Sequence, residues 1–357
     1  MGIFGLCEFA ALNSRIHYVK SRMLKVSDWQ TLLGTADLRS AVGDLGSFPM
    51  GEGLRTERGD GSLSLRMVEH SLQQNFITEM LTHLRFLSGA SAEALTELVR
   101  VYDLLNLKKI LRINQGYAGK DKMSELFVDL YDLGRHSLLK MEKWEALSAG
   151  GKIGNAFAGS CYEEDFKLDI DLAGESAGLL RLETLIERSY FKNLYRCLKS
   201  SGGLELLRMQ IDELCLEQMV RLRYHFGMEI PAIQPLTMLD LSSLWNEKLF
   251  LKLMEAEDEK KFFELLSNEP AFKGFDCSSL GACLRSMRFA RIRMCKAVLA
   301  SGAPLSLRPL TALFMLKQQE IRDIVSVLQI KRFKREEKLG WLVMPEVVSG
   351  SVRGVAV

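Results

Sequence analysis

The amino-acid sequence predicts an all-α protein, because the distribution of proline, the residue composition and the apolar periodicity all favour that class. The chain has 357 residues but only seven prolines, and residues 50–230 contain none. Proline disrupts the interior of a helix, so a long proline-free stretch rich in Leu, Met, Glu, Lys and Arg favours helices. Apolar residues in this stretch recur every three or four positions, which is the spacing of one helix face.

This periodicity locates the helices in chain order. One apolar stripe predicts a helix near the N-terminus, a longer stripe predicts a helix of about seven turns, and a third lies in the middle of the chain. The stripes consist of Phe9, Leu12, Ile16, Val19 and Met23; of Leu65, Val68, Leu72, Phe76, Met80, Leu84 and Leu87; and of Leu182, Leu185 or Ile186, Tyr190, Leu194 and Leu198.

Three short glycine-containing loops interrupt the helices and predict three antiparallel helix hairpins. The loops are Ser88-Gly89-Ala90, Ser201-Gly202-Gly203 and Ser301-Gly302-Ala303-Pro304. A phenylalanine lies 10 to 12 residues before the serine of each loop, at Phe76, Phe191 and Phe289.

The second helices of the three hairpins carry the same pattern of polar and apolar residues, which indicates an internal repeat. Its acidic position is Asp103, Asp212 and Glu320, and these residues are 109 and 108 positions apart. The other polar positions of this repeat signature are Asn106 and Arg112 in the first helix, Arg221 in the second and Asp323 in the third. Because Arg112 and Arg221 occupy equivalent places, we expect them to make a shared structural bond at a helix end.

A short helical base precedes each hairpin and carries an aromatic residue, at Trp29, Trp144 and Phe262-Phe263. The sequence therefore predicts three repeats, each a helical base followed by a long hairpin. We place them at residues 8–120, 121–236 and 237–333, with a C-terminal tail at 334–357.

Composition and motifs predict no metal site, no cofactor site and no nucleic-acid partner. Lys plus Arg is 47 and Asp plus Glu is 45, so the chain lacks the basic excess of most nucleic-acid-binding domains. The seven cysteines form no C-x-x-C pair and the five histidines no H-E-x-x-H motif. No apolar run approaches the roughly 18–20 residues that a membrane span needs.

Two motifs resemble catalytic or phosphate-binding sites, and we interpret both as structural. Gly174-Glu175-Ser176-Ala177-Gly178 is a G-x-S-x-G sequence, and it follows an alternating run at 166–172 that would suit a strand. An esterase using Ser176 stays open as an alternative, although no oxyanion loop is evident and His225 lies in a predicted helix. We favour Ser176 near the start of a helix, and no catalytic residue. Asn114 to Asp121 departs from a phosphate loop at both ends and predicts a helix terminus and a turn.

A basic run follows the third hairpin, at Lys331, Arg332, Lys334 and Arg335. Cations at a helix C-terminus interact favourably with the helix dipole, so a solvated helix end explains the run. The alternative is a docking patch for an acidic partner, and these four residues are the candidate partner contacts.

The residues around the first acid resemble a known family. Val101 to Arg112 is similar to the recurring D-x-x-N-L-K-x-x-L-R signature of the C-type subunits of the V-type/A-type rotary ATPases, whose eukaryotic members are the d-type subunits. Residues 10–33 with Ser21-Arg22-Met23-Leu24, the segment 188–191, and Lys317 to Ile324 resemble the same family, so the resemblance covers about residues 8–343. The sequence departs from it at Cys215, Asp323 and Gln329.

The resemblance implies a funnel of three pseudo-threefold helical modules on the cytoplasmic face of a membrane rotor ring. The funnel would receive the foot of the central stalk and couple the stalk to the ring during ATP-linked proton or sodium transport. It implies a peripheral, non-catalytic subunit without a cofactor, whose partners are central-stalk subunits and the ring. A generic α-helical repeat scaffold that binds partner proteins is the alternative of another class.

Overall fold

Helices make up most of the structure, a computed structural model that describes residues 3–55, 65–114, 129–150, 152–167, 176–301, 306–334 and 342–344. No strand occurs within these ranges, so the predicted all-α class is confirmed. The helices are α1 Ile3–Ser21, α2 Val26–Gly34, α3 Leu38–Leu45, α4 Leu65–Leu81, α5 Gly89–Val99, α6 Val101–Asn114, α7 Met141–Ser148, α8 Ile153–Ala156, α9 Glu163–Lys167, α10 Ser176–Ser201, α11 Leu204–Val220, α12 Ile230–Ile233, α13 Glu247–Met254, α14 Glu259–Ser267, α15 Leu280–Ser301 and α16 Arg308–Phe333.

The apolar stripes lie where the periodicity predicts. Phe9, Leu12, Ile16 and Val19 are buried on α1, and the stripe of α4 is buried from Leu65 to Met80. The predicted seven-turn helix is shorter, because α4 ends at Leu81 and continues as the 3-10 helix Thr82–Phe86.

The second glycine loop has the geometry that its composition predicts. α10 ends at Ser201 and α11 begins at Leu204, so only Gly202 and Gly203 separate them. Both glycines have positive φ angles, +93° and +95°, which L-residues with a side chain rarely adopt. In the first loop α5 begins at Gly89 itself, with φ +51°. Most of the third loop lies outside the described residues.

One compact unit comprises residues 1–92, 201–206 and 285–357. Within it α16 packs against α4, α3 and α1, and most of the α16 side chains are buried. The ring centroids of Phe76 on α4 and Phe314 on α16 are 5.2 Å apart. The helix α16 therefore forms the centre of this unit.

The other compact unit comprises residues 93–200 and 207–284. Its core includes the large aromatic side chains of Tyr102, Trp144, Tyr162, Phe250 and Phe262. Helix α7 packs against α6 and α8, and α13 packs against α14. The three predicted repeats are a different division of the chain, and their boundaries stay a prediction.

Candidate functional site

The three acidic residues of the repeat signature are buried, which is unusual for carboxylates. Asp103 on α6 is 1% exposed, Asp212 on α11 is 1% exposed and Glu320 on α16 is fully buried. A buried carboxylate is costly unless it is hydrogen-bonded. In each case the partners lie in the segment that leads into a short base helix, as the following contacts show.

Asp103 holds the segment before α7. Its carboxylate accepts hydrogen bonds from the Ser137 hydroxyl at 2.8 Å and from the backbone N–H of Leu138 at 2.7 Å. Burial outweighs these bonds and raises the pKa of Asp103 to about 7. The base helix α7, which carries Trp144, begins three residues after Leu138.

Asp212 holds the segment before α13 in the same manner. Its carboxylate accepts bonds from the hydroxyls of Ser242 and Ser243 and from the backbone N–H groups of Ser243 and Leu244, the latter two at 3.0 and 3.1 Å. The indole N–H of Trp245 also donates to the Asp212 carbonyl oxygen at 2.9 Å. The base helix α13 begins at Glu247.

Glu320 holds the segment before α2. Its Oε1 accepts a hydrogen bond from the backbone N–H of Leu24 at 2.7 Å, and its Oε2 lies 3.2 Å from Nζ of Lys317. We call the three arrangements the acid clasps: Asp103 with Ser137 and Leu138, Asp212 with Ser242 to Leu244, and Glu320 with Leu24. Lys317 is not part of the repeat signature, although it precedes Glu320 by three residues, a spacing that places two side chains together on a helix.

A second position of the register lies three residues after each acid, and in the first and third cases it binds a later part of the chain. The side-chain amide of Asn106 donates to the Tyr131 carbonyl and accepts from the Tyr131 N–H, both at 2.8 Å. Cys215 is fully buried, and burial raises the pKa of its thiol. Asp323 accepts bonds from the N–H groups of Val343 and Met344 at 2.9 and 2.6 Å.

These contacts show that Asn106 and Asp323, two different residue types at one register position, have the same role. Each accepts a backbone hydrogen bond from a segment 20 to 25 residues further along the chain. Burial raises the pKa of Asp323 to about 6. The departure of Asp323 from the resembled signature therefore leaves the contact itself in place.

The clasps also indicate which aromatic residue belongs to the third base. Trp29 and Trp144 are each the fourth residue of a clasped base helix, α2 and α7. In the clasped helix α13 the fourth residue is Phe250, which is fully buried. Phe262 and Phe263 lie one helix later, in α14, so the contacts favour Phe250 as the equivalent residue.

The two arginines of the signature do not make a shared bond, so that expectation is wrong. Arg112 forms a bidentate pair with Glu183 on α10, with N–O distances of 2.6 and 2.8 Å. Arg221 instead pairs with Glu217 one turn earlier in its own chain segment, at 3.4 Å. The two positions also differ in backbone geometry, since Arg112 lies within α6 whereas Arg221 begins the π-helical turn Arg221–His225.

The basic run divides into an inner and an outer part. Lys331 is buried and donates to the Leu33 carbonyl oxygen at 2.8 Å. Its ammonium therefore makes a hydrogen bond within its own unit. Arg332 lies over the ring of Phe333, which is 61% exposed, and Lys334 ends α16 in the left-handed conformation. Arg335 lies outside the described residues. Arg332 and Lys334 are therefore the candidate partner contacts that face outward.

The described residues of the two catalytic-like motifs lie in helices. Helix α10 begins at Ser176, as the helix-start interpretation predicts, while residues 168–175 lie outside the described ranges. The alternating run begins in helix, because Phe166 and Lys167 belong to α9. Asn114 is the last residue of α6 and donates to the Leu147 carbonyl at 2.8 Å; Gly119, Lys120 and Asp121 lie outside the described residues.

Nothing in the described ranges points to a metal or to a bilayer. Among those residues, no group of three or more His, Cys, Asp or Glu side chains is placed to hold a metal ion. Within the same part of the chain, every helix is too short or too polar to cross a membrane.

The buried polar positions of α6, α11 and α16 are thus structural clasps, placed on the helices whose sequences resemble the rotary ATPase family. No curated protein matches the chain. A family model does: the model of the ATP synthase (C/AC39) subunit matches residues 12–341, almost the whole chain. The chain therefore belongs to the C/AC39 subunit family of the V/A-type ATP synthases.

Proposed function

We propose that this protein is a non-catalytic subunit that joins the central stalk of a V/A-type rotary ATPase to its membrane rotor ring. It would transmit rotation between ATP chemistry in other subunits and proton or sodium transport through the ring. Membership of the family supports a place in such a complex. The position between stalk and ring, the funnel of three modules and the peripheral location at the inner membrane face are parts of the proposal.

The observation that carries the proposal is the threefold use of one clasp. A rotor coupler must resist deformation under torque, and helix packing alone allows neighbouring elements to slide. In each clasp a buried carboxyl group accepts a hydrogen bond from a backbone N–H, so sliding of the base segment would leave buried polar groups without their partners. Asp103, Asp212 and Glu320 thereby anchor all three base segments to the long helices. Such anchoring suits a part whose work is mechanical contact.

The proposal is tested in membrane vesicles from cells that lack this chain. Without it, we expect the ATP-hydrolysing subunits to remain active while ATP-driven ion uptake is lost, because rotation no longer reaches the ring. Re-expression of the parent chain should restore uptake. Re-expression of Glu264→Ala, a change at an exposed surface pair with Lys261, should restore it equally.

A tagged chain supplies the second arm of the same test. From detergent-solubilised membranes we expect it to capture central-stalk and rotor-ring subunits together. Capture of soluble proteins alone, with unchanged ion uptake in the deletion, would favour the helical scaffold instead. Covalent labelling of Ser176 by a fluorophosphonate probe would favour the hydrolase and contradict a purely mechanical role.

A further inference from the structure

A cavity with a mixed polar and apolar wall opens beside the third clasp, within the unit formed by residues 1–92, 201–206 and 285–357. Its volume is about 390 Å³, which falls in the range of roughly 300–1,000 Å³ that is usual for small-molecule sites. The apolar part of its wall includes Leu72 and Phe76 of α4 and Met50 of the 3-10 helix Pro49–Arg55. The rest of the wall includes three cations, Arg15, Arg22 and Lys317, and one acid, Glu79.

Two arginines of the cavity wall, Arg15 on α1 and Arg22 just after its end, are arranged around the ring of Tyr18. The guanidinium carbon of Arg15 lies 4.6 Å from the centre of the Tyr18 ring, and that of Arg22 lies 5.7 Å from it. Arg22 also donates to the Pro49 carbonyl at 3.0 Å, which fixes its position. The Nε of Arg15 is shielded from solvent and has no hydrogen-bond partner among the described residues. The Arg22 guanidinium is thus held in place, and Arg15 lines the same cavity wall.

A third cation reaches the cavity from α16. Lys317 is only 3% exposed, and Oε2 of Glu320 lies 3.2 Å from its Nζ. An ammonium carries three N–H donors, and this carboxylate is one acceptor whose other oxygen already serves Leu24. Buried lysines are rare because their desolvation is costly.

The charges that face the cavity leave a positive balance. Arg15, Arg22 and Lys317 contribute three cations, while Glu79 lines the same cavity and Glu320 pairs with Lys317. Guanidinium groups suit carboxylates and phosphates because their planar N–H groups can bind two oxygens at once. The adjacent apolar wall of α4 and the 3-10 helix can cover the carbon skeleton of a small ligand.

We propose that this cavity binds the anionic group of a small organic phosphate or carboxylate, with Arg15, Arg22 and Lys317 as its ligands. The anion lies against the two guanidinium groups, and the Lys317 ammonium donates to it while remaining paired with Glu320. This site is independent of the coupling function proposed above, since it needs no other subunit. Binding adds an acceptor to the same lysine that supports the third clasp, so the ligand stabilises the folded chain.

The test measures the melting temperature of the isolated chain against inorganic phosphate, against acetate and against sodium chloride at matched ionic strength. At ten times its dissociation constant a ligand favours the folded state about elevenfold, so a rise of a few degrees is expected. A rise with phosphate but not with acetate assigns the site to phosphates, and a rise with both assigns it to anions of either class.

Arg15→Gln is the decisive variant, because it removes one cation without removing the Arg22 bond to Pro49. Arg15→Gln should remove most of the ligand-dependent rise in melting temperature. Arg39 is an exposed arginine of the same unit, and Arg39→Gln should leave the rise unchanged. Equal rises in both variants, or a rise that sodium chloride reproduces, would overturn the proposal.

A second measurement does not depend on melting. Phenylglyoxal modifies accessible arginines, and mass spectrometry of the peptides identifies which ones. Phosphate should protect Arg15 and Arg22 from the reagent while Arg39 continues to react. Equal modification of all three with and without phosphate would also overturn the site.

Discussion

Oε1 of Glu320 lies 2.7 Å from the backbone nitrogen of Leu24, a residue 296 positions earlier in the chain. The same distance separates the Asp103 carboxylate from the Leu138 nitrogen, over only 35 positions. Helix α16 therefore binds the segment before α2 through the same kind of contact by which α6 binds the segment before α7. A residue near the end of the sequence thus stabilises one near its beginning.

The first prediction concerns the charge of Glu320. Glu320→Gln keeps an oxygen that accepts from Leu24 but leaves the Lys317 ammonium buried without its carboxylate. Removing one partner of a buried ion pair typically costs about 3–5 kcal/mol, and we expect a loss of that order in the free energy of unfolding. Urea denaturation of the purified chain measures it.

Two comparisons interpret that result. Glu264→Ala removes a carboxylate from an exposed pair with Lys261, so the expected loss is within about 0.5 kcal/mol. The double variant Glu320→Gln with Lys317→Met should recover part of the loss, because no unpaired charge remains. A double variant as unstable as the sum of its single changes would mean that Lys317 and Glu320 act independently.

The second prediction concerns pH and the buried Asp103 carboxyl. Its pKa is raised by burial to about 7, above the ordinary value of 3.8. The folded state therefore favours the protonated form of Asp103. The free energy of unfolding that this preference contributes is fully present below pH 4 and is lost as the pH rises through 7. Each pKa unit corresponds to about 1.4 kcal/mol, so the total is a few kcal/mol.

Asp103→Asn should lack this dependence. Between pH 4 and pH 7 the free energy of unfolding of Asp103→Asn should rise relative to that of the parent chain, because only the parent must ionise a buried group. Chemical denaturation at pH 5, 6, 7 and 8 measures the difference. Parallel pH profiles for the parent and Asp103→Asn would show that Asp103 ionises as readily in the folded chain as in the unfolded one.

The helices were predictable from the sequence because burial repeats with the period of the helix. Leu12, Ile16 and Val19 need only their spacing to identify the buried face of α1. The acidic positions were also identifiable, because Asp103, Asp212 and Glu320 recur at intervals of 109 and 108 residues, although their burial was not predicted. Repeated patterns thus revealed both the core and the positions of the clasps.

The partners of those acids were not predictable for a physical reason. Ser137 and Leu138 lie in an irregular segment, where no periodicity indicates which backbone N–H points inward. The pair between Arg112 and Glu183 joins residues 71 positions apart, and nothing in either helix specifies the other. The sequence analysis assigned Phe262 rather than Phe250 to the third base for a similar reason. Apolar residues follow both phenylalanines, so the pattern does not distinguish them.

The third prediction concerns the hairpin phenylalanines. Phe76 and Phe191 are buried, and their ring centroids lie 5.2 Å from Phe314 and 5.0 Å from Tyr190. Replacing either by alanine should cost about 3–5 kcal/mol of unfolding free energy through lost burial and a cavity. Phe333→Ala is the control, since that ring is largely exposed and should cost little. Near-zero losses at both buried sites would contradict the packing.

The fourth prediction separates steric contact from backbone strain in the second hairpin loop. Gly203 has φ +95°, and an added Cβ would lie 2.8 Å from Oγ1 of Thr311, whose hydroxyl donates to the Leu307 carbonyl. Gly159 has φ +80° with nothing within 4 Å of the added atom. Gly159→Ala should therefore cost only strain, about 1–2 kcal/mol, and Gly203→Ala clearly more. Equal shifts in the urea midpoint for Gly159→Ala and Gly203→Ala would mean that the Thr311 side chain moves aside without loss of stability.

The fifth prediction distinguishes the inner and outer cations at the end of α16. Lys331→Met should lower the free energy of unfolding by about 1–3 kcal/mol, because the buried Leu33 carbonyl loses its donor. Arg332→Ala and Lys334→Gln should change stability little, because both side chains lie at the exposed end of the helix.

Partner capture should show the opposite pattern. If the outer cations contact an acidic partner, the double variant at Arg332 and Lys334 should recover less stalk and ring protein in the pull-down, most clearly at low salt, where surface charges are least screened. Lys331→Met, assayed well below its melting temperature, should recover as much as the parent chain. Full recovery by the double variant would show that the exposed end of α16 faces solvent in the complex and that binding uses another surface.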